Sequence, residues 1–130
     1  MLKYILLATG GAIGTILRYM ISSAAYRLFL AEVFPWGTLM VNLTGSMVIG
    51  ILAGLQEANL ISPNLRTFIF IGILGGYTTF STFSLETLNL VRAGEIRYAI
   101  INVAASNLFG IALAFGGFFM ARYVLNSLNN

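Results

Sequence analysis

The sequence contains no cysteine and no histidine. The absence of cysteine excludes disulfide bonds, and without either residue the common zinc and haem sites cannot form. Charged residues are also scarce, at 8% of the chain, whereas a soluble domain carries about 25%. The net charge of +3 is spread thinly. No cluster of Lys and Arg therefore suggests a nucleic-acid partner.

The chain instead has long apolar stretches. Hydrophobic residues make up 58% of its 130 residues. Each bilayer span takes roughly 20 apolar residues, so four helices with short loops nearly exhaust the chain. We therefore predict an all-α membrane protein, a single four-helix transmembrane domain over residues 1–130, surrounded by membrane lipid.

The predicted spans are 4–26, 35–56, 67–90 and 98–121. Short linkers around Glu32, Asn59–Arg66 and Arg92–Arg97 separate them, so consecutive helices should pack antiparallel. A cleaved signal peptide is the alternative for the first span, but its apolar run is longer than a typical signal core.

Glycine pairs four residues apart occur in three of the spans and predict close helix packing. The pairs are Gly10 and Gly14, Gly50 and Gly54, and Gly72 and Gly76. This spacing lets two backbones approach in lipid, although it does not say which helices meet.

The basic residues do not orient the chain in the membrane. Lys3, Arg66 and Arg122 fall on one side, Arg27, Arg92 and Arg97 fall on the other, and Arg18 lies inside the first span. Loop charge normally fixes orientation, so this balance leaves either a weakly oriented protein or one that inserts both ways. We favour dual topology, with two copies forming an antiparallel homodimer.

Polar residues recur along the second span. Thr38, Asn42 and Ser46 are four apart and share one helix face. Interhelical hydrogen bonding explains Thr38 and Ser46 as well as a functional role does. Asn42 differs, because its amide has two N–H donors that can replace water around an anion.

Further polar groups lie in the other spans. Asn102 and Ser106 share a face of the fourth span that could continue a hydrogen-bonding track, while packing explains Asn107 equally well. Two charges, Glu86 and Arg18, lie near the ends of their spans. Each could lie at a vestibule, pair with the other or extend to the headgroups, and the last two roles suit Arg18 better.

The third span contains a run of weak helix formers, Gly75-Gly76-Tyr77-Thr78-Thr79. Two glycines and two β-branched threonines make a poor continuous helix, so we predict a break in mid-membrane. Transporters use such breaks to aim half-helix dipoles and free carbonyls at ions. Carbonyl oxygens suit a hard cation, whereas the N–H groups at a helix start suit an anion.

Two phenylalanines follow this run. Phe80 and Phe83 share a helix face beside the Ser81 and Thr82 hydroxyls. Packing or lipid contact is the ordinary role of such a pair. The alternative is functional, because the electropositive edges of the rings can face an anion without binding it too tightly.

Three motifs resemble the bacterial fluoride channel family, Fluc or CrcB. They are Gly-x-x-x-Arg at 14–18, Trp-Gly-Thr-Leu-x-Val-Asn-x-x-Gly at 36–45, and Gly-Gly-x-Thr-Thr-Phe-Ser-Thr-Phe-Ser-x-Glu at 75–86. The resemblance implies an antiparallel dual-topology dimer with two fluoride pores. It also implies a sodium ion at the dimer interface, held by the backbone carbonyls of Gly75 and Thr78.

The resemblance also assigns site residues by position. Glu86 would lie at a pore mouth, and the fluoride pathway would be lined by Asn42, Phe80, Ser81, Thr82, Phe83 and Ser106. Some members have further hydroxyls and a tyrosine on the fourth helix. Here the corresponding face has Asn102, Ser106, Gly110 and Ala114.

The implied function is a fluoride-selective channel of the bacterial cytoplasmic (inner) membrane, giving passive efflux of cytoplasmic fluoride and fluoride resistance. No acid–base or nucleophilic constellation suggests an enzyme. The alternative is a proton-coupled exporter of the small multidrug type. That mechanism would require a carboxylate deep in the first span. The first span here contains Arg18 and no Asp or Glu, which argues against the exporter.

Overall fold

The computed structural model describes residues 1–29 and 33–128, and the predicted linker around Glu32 lies outside the described residues. Helix α1 covers Leu2–Phe29 and α2 covers Trp36–Glu57. Helix α3 covers residues 63–77, with π-helical turns over Thr67–Ile73. Helix α4 covers Phe80–Arg92 and α5 covers Ile96–Leu128. The described chain is therefore all-helical.

Four helical segments in the described chain are long and apolar enough to cross a membrane. They are α1, α2, the segment Pro63–Arg92 that contains α3 and α4, and α5. Each contains or overlaps one predicted span. The second segment begins at Trp36, directly after Pro35, whose missing N–H does least harm before a helix.

Two tight turns reverse the chain at the ends of α2 and α4. Asn59 and Gly94 both adopt positive φ, 59° and 81°. In each turn the next residue donates its N–H to a carbonyl five residues back, Leu60 to Leu55 and Glu95 to Leu90. This is the Schellman arrangement, which satisfies carbonyls that the helix end leaves open.

Glycines let the helices approach closely. A Cβ atom built on Gly10 would lie 3.0 Å from the α-carbon of Gly72, and one on Gly76 would lie 2.6 Å from the Gly11 carbonyl oxygen. These contacts bring α1 against α3. A Cβ on Gly54 would lie 2.9 Å from that of Ala121, where α2 meets α5. The predicted close packing is thus confirmed, and the structure shows which helices meet.

The tightest approach between α2 and α5 provides a test of this packing. A Cβ on Gly50 would overlap the Ala114 carbonyl, whereas one on Gly116 would have no atom within 4 Å. We expect Gly50→Ala to lower the free energy of unfolding by about 1–3 kcal/mol, because the two backbones must separate. Thermal unfolding in detergent measures this, with Gly116→Ala as the matched control. Equal melting temperatures for both variants would contradict the packing.

Candidate functional site

The chain between α3 and α4 is extended at two residues. Thr78 has φ −77° and ψ 156°, and Thr79 has φ −149° and ψ 119°. The residues around them, including Gly75 and Gly76, are weak helix formers, so a continuous helix gains little here. We call Thr78–Thr79 the interruption. It leaves the backbone groups of its neighbours without their ordinary helical partners.

Thr79 begins α4 as its N-cap. Its Oγ1 accepts a hydrogen bond from the backbone N–H of Thr82 at 3.2 Å. The same hydroxyl lies 3.0 Å from Thr82 Oγ1, to which it donates, and 3.4 Å from Ser81 Oγ. The hydroxyls of Ser81 and Thr82 are thus gathered around a buried threonine at the first turn of a helix, where N–H groups favour negative charge.

Asn42, which lies on α2, forms hydrogen bonds to both backbone groups of Thr79. Its Nδ2 donates to the Thr79 carbonyl at 3.0 Å, and its Oδ1 accepts from the Thr79 N–H at 2.9 Å. The side-chain amide therefore replaces the backbone partners that the interruption removes. One N–H of Asn42 is occupied in this way, and an amide has a second.

Two carbonyls near the interruption lose their ordinary helical donors. In a continuous helix the N–H of Thr79 would bond to the Gly75 carbonyl, and the N–H of Thr82 to the Thr78 carbonyl. Here those two N–H groups donate to side-chain oxygens of Asn42 and Thr79 instead. Gly75 is exposed, and a Cβ built on it would have no atom within 4 Å. Gly75 therefore lies on an open surface of the chain.

A cleft of about 290 Å³ lies beside these groups. Asn42, Ser46, Gly75 and Thr78 contribute its polar lining, and Ile49, Phe70 and Leu74 are among its apolar walls. The face of α2 that carries Asn42 and Ser46 thus lines the same cleft as Gly75 and Thr78. Polar atoms converge here on a largely apolar wall, as in many ligand sites.

Phe80 and Phe83 lie on the first turn of α4 as neighbours. Their ring centroids are 5.5 Å apart, with an interplanar angle of 44°. Phe83 is 8% exposed, whereas Phe80 is 77% exposed on the single chain. The rings are paired, but only one of them packs within the chain.

Glu86 lies further along α4 and is held by two hydroxyl groups. Its Oε1 accepts from Thr38 Oγ1 at 2.8 Å and from the Tyr26 hydroxyl at 3.1 Å. It lines a cleft of about 380 Å³ near the end of α1 and the start of α2, together with Asn89 and Glu95. Glu86 does not pair with Arg18 in the described chain.

Three polar side chains of α5 have different surroundings. Asn102 is fully buried and donates to Thr87 Oγ1 at 3.0 Å. The Ser106 Oγ is buried and has no hydrogen-bond partner among the described residues. Asn107 is exposed and donates to the Val103 carbonyl of its own helix at 2.8 Å. The face shared by Asn102 and Ser106 therefore points inward, and Asn107 points outward.

A family profile described as "CrcB-like protein, Camphor Resistance (CrcB)" matches residues 5–118. The chain belongs to the CrcB-like family. A Parabacteroides distasonis protein named "Fluoride-specific ion channel FluC" is 42% identical over 128 residues, 98% of this chain and 99% of that protein. A protein of the same name from Magnetococcus marinus is 45% identical, over 90% of this chain and 95% of that protein. Another from Thermus thermophilus is 42% identical, over 89% of this chain and 92% of that protein.

The family and the four long helices identify a multi-pass protein of the bacterial inner membrane. In this CrcB-like chain the three resembling motifs lie close together in space. Asn42 and Thr38 of the second motif contact Thr79 and Glu86 of the third. A Cβ on Gly14 of the first motif would lie 2.9 Å from the backbone nitrogen of Tyr77 in the third.

Several residues at this site were not predicted from the sequence. The sequence pattern identifies Thr79 only as a poor helix former, although a threonine directly before a helix is also an N-cap signal. Tyr26 and Thr87 carry no local signal, since only the folded chain brings them to Glu86 and Asn102.

The cap of α4 provides a test of the site in this CrcB-like chain. We expect Thr79→Ala to lower the free energy of unfolding by about 1 kcal/mol, because it removes the oxygen that accepts from the Thr82 N–H. Thr79→Ser retains that oxygen and should lie near the wild type. Chemical unfolding in detergent measures the difference. An equal loss in both variants would show that the cap does not stabilise α4.

Proposed function

We propose that this protein is a fluoride-selective ion channel that gives passive efflux of cytoplasmic fluoride and thereby fluoride resistance. The observation that carries the proposal is the match to fluoride-specific channels over nearly the whole chain, including residues 75–86 around the interruption. The protein is then a transporter and not an enzyme. A proton-coupled exporter is not favoured, because α1 contains no carboxylate.

The proposed pathway offers hydrogen-bond donors and ring edges in series. Fluoride holds its water tightly, so a dry pathway must replace that water with donors. The second N–H of Asn42 and the hydroxyls of Ser81 and Thr82 are such donors. Positive ring edges of Phe80 and Phe83 supply weaker contacts, which let the ion leave again.

Two further residues complete the proposed route. Ser106 presents a buried hydroxyl that has no partner among residues 1–29 and 33–128, as a passing anion would require. Glu86 would lie at a pore mouth, on its cleft near the end of α1. The hydroxyls of Thr38 and Tyr26 fix its carboxylate there.

We further propose that the four helices form a single transmembrane domain and that the interruption lies in mid-membrane. Two such chains would assemble as an antiparallel dual-topology homodimer surrounded by lipid. The equal number of basic residues on the two sides, three against three, supports insertion in both orientations. The open surface around Gly75 and the 77% exposure of Phe80 support a second copy against this face.

A sodium ion at the dimer interface fits the residues present. Carbonyl oxygens are suitable ligands for a hard cation. The carbonyls of Gly75 and Thr78 would hold it, since the N–H groups that would occupy them in a helix donate elsewhere. Its positive charge would supply a fixed structural centre that also favours nearby anions.

Efflux from liposomes tests the function. Protein reconstituted with potassium fluoride and trace sodium inside should release fluoride rapidly after valinomycin is added, as followed with a fluoride electrode. Chloride should stay inside under the same conditions. Well-folded protein that releases no fluoride, but takes up a lipophilic cation on a proton gradient, would make the exporter the better interpretation.

The rings are tested by substitution. We expect Phe80→Ile and Phe83→Ile each to lower fluoride efflux at least about tenfold, because isoleucine is apolar but has no positive edge. Both variants should still elute as dimers in size-exclusion chromatography. Unchanged efflux in both would remove the rings from the mechanism.

The cation is tested by replacement. Substituting all sodium by N-methyl-D-glucamine should slow or abolish fluoride efflux, since a large organic cation cannot enter a ring of carbonyl oxygens. Restoring sodium should restore efflux in the same preparation. Efflux that is insensitive to sodium would count against a structural cation between Gly75 and Thr78.

A further inference from the structure

Asn102 is the most deeply buried polar side chain in residues 1–29 and 33–128, with an exposed fraction of 0%. It lies on α5 and faces α4. Its hydrogen bond to Thr87 Oγ1, at 3.0 Å, is the one side-chain hydrogen bond that joins these two helices within the described residues. Its burial is complete in the single chain, so it does not depend on a second copy.

The hydrogen bond is the first step of a directed series. Thr87 Oγ1 donates in turn to the carbonyl of Phe83 at 2.8 Å, one helical turn earlier. A hydroxyl has a single hydrogen, so once it is given to Phe83 the oxygen can only accept. Asn102 must therefore present its NH2 group to Thr87. The series runs from the Asn102 amide through the Thr87 hydroxyl to the Phe83 carbonyl.

Stability alone does not explain an asparagine at this position. The Oδ1 of Asn102 is buried with no partner in the described chain, which is unfavourable. A leucine of similar size would fill the same space without that cost. The asparagine retains one effect that leucine could not provide, which is the hydrogen bond to Thr87.

The series acts on the position of Phe83. A threonine hydroxyl that bonds to a carbonyl one turn back bends its helix locally. A second donor to that hydroxyl strengthens the bond. Because Asn102 belongs to α5, the Phe83 carbonyl is set relative to that helix rather than by α4 alone.

We propose that Asn102 is a positioning residue, which acts through Thr87 to fix the placement of the Phe83 ring in the fluoride pathway. The inference rests on the proposed function, in which Phe83 touches the passing ion. Asn102 itself touches Thr87 and not the ion. Its amide differs in this from that of Asn42, which lines the cleft at the interruption.

Liposome efflux of matched variants tests the inference. Thr87→Val has the shape of threonine without the hydroxyl, and Thr87→Ser keeps the hydroxyl. We expect Thr87→Val and Asn102→Leu each to lower fluoride efflux about tenfold, because each breaks the series at one bond. Thr87→Ser should stay within about twofold of the wild type. Asn107→Leu, which removes an exposed asparagine from the same helix, should leave efflux unchanged.

The double variant Thr87→Val/Asn102→Leu separates positioning from general damage to the structure. The two substitutions break the same series of hydrogen bonds, so their effects on efflux should not add. The double variant should therefore be no slower than the slower single variant. Wild-type efflux in either single variant, equal losses in Thr87→Ser and Thr87→Val, or additive losses would each overturn the inference. If Asn102→Leu does not assemble, the Thr87→Val and Thr87→Ser pair decides.

The two proposals fail in different ways. A wild-type protein that releases no fluoride overturns the channel function itself. A wild-type protein that conducts, with a Thr87→Val variant that conducts equally well, overturns only the role of Asn102.

Discussion

The fold around the proposed site depends on two hydrogen bonds between the side-chain amide of Asn42 and the backbone of Thr79. In a membrane every backbone polar group needs a protein partner, because lipid offers none. If the interruption lies in mid-membrane, as proposed, the extended residues Thr78 and Thr79 need replacements for the helical hydrogen bonds lost there. Asn42 supplies both a donor and an acceptor to Thr79, at 3.0 and 2.9 Å, and the Thr79 hydroxyl caps the helix that follows.

The groups proposed to handle ions are arranged around this contact. On one side, the carbonyls of Gly75 and Thr78 have lost their helical donors. On the other, the first turn of α4 carries hydroxyls and the rings of Phe80 and Phe83. Carbonyl oxygens favour a cation and a helix start favours an anion, so one interruption provides a place for each. Glycines let the neighbouring helices approach the interruption closely.

The four long helices and their close packing could be predicted from the sequence. The length of an apolar run and the spacing of glycines can both be read from a single stretch of chain. The weak helix formers at residues 75–79 predict a break in mid-membrane, and Thr78 and Thr79 within that run have extended backbone dihedrals. The partners of the polar groups could not be predicted in this way. Thr38 and Glu86 lie 48 residues apart along the chain, and Asn42 lies 37 residues from Thr79. Only the packing of α2 against the third segment brings them together.

Asn42 also shows a limit of reasoning by residue type. Its two N–H groups suggested anion binding, and the sequence could not reveal that one of them donates to the Thr79 carbonyl.

Chemical shifts of 13C-labelled Thr78 and Thr79, measured by solid-state NMR in bilayers, test most directly whether Asn42 holds these two residues in the extended conformation. The account predicts extended-chain shifts at both residues in the wild type and in Asn107→Ala, and their loss in Asn42→Ala. Extended shifts that persist unchanged in Asn42→Ala would contradict it.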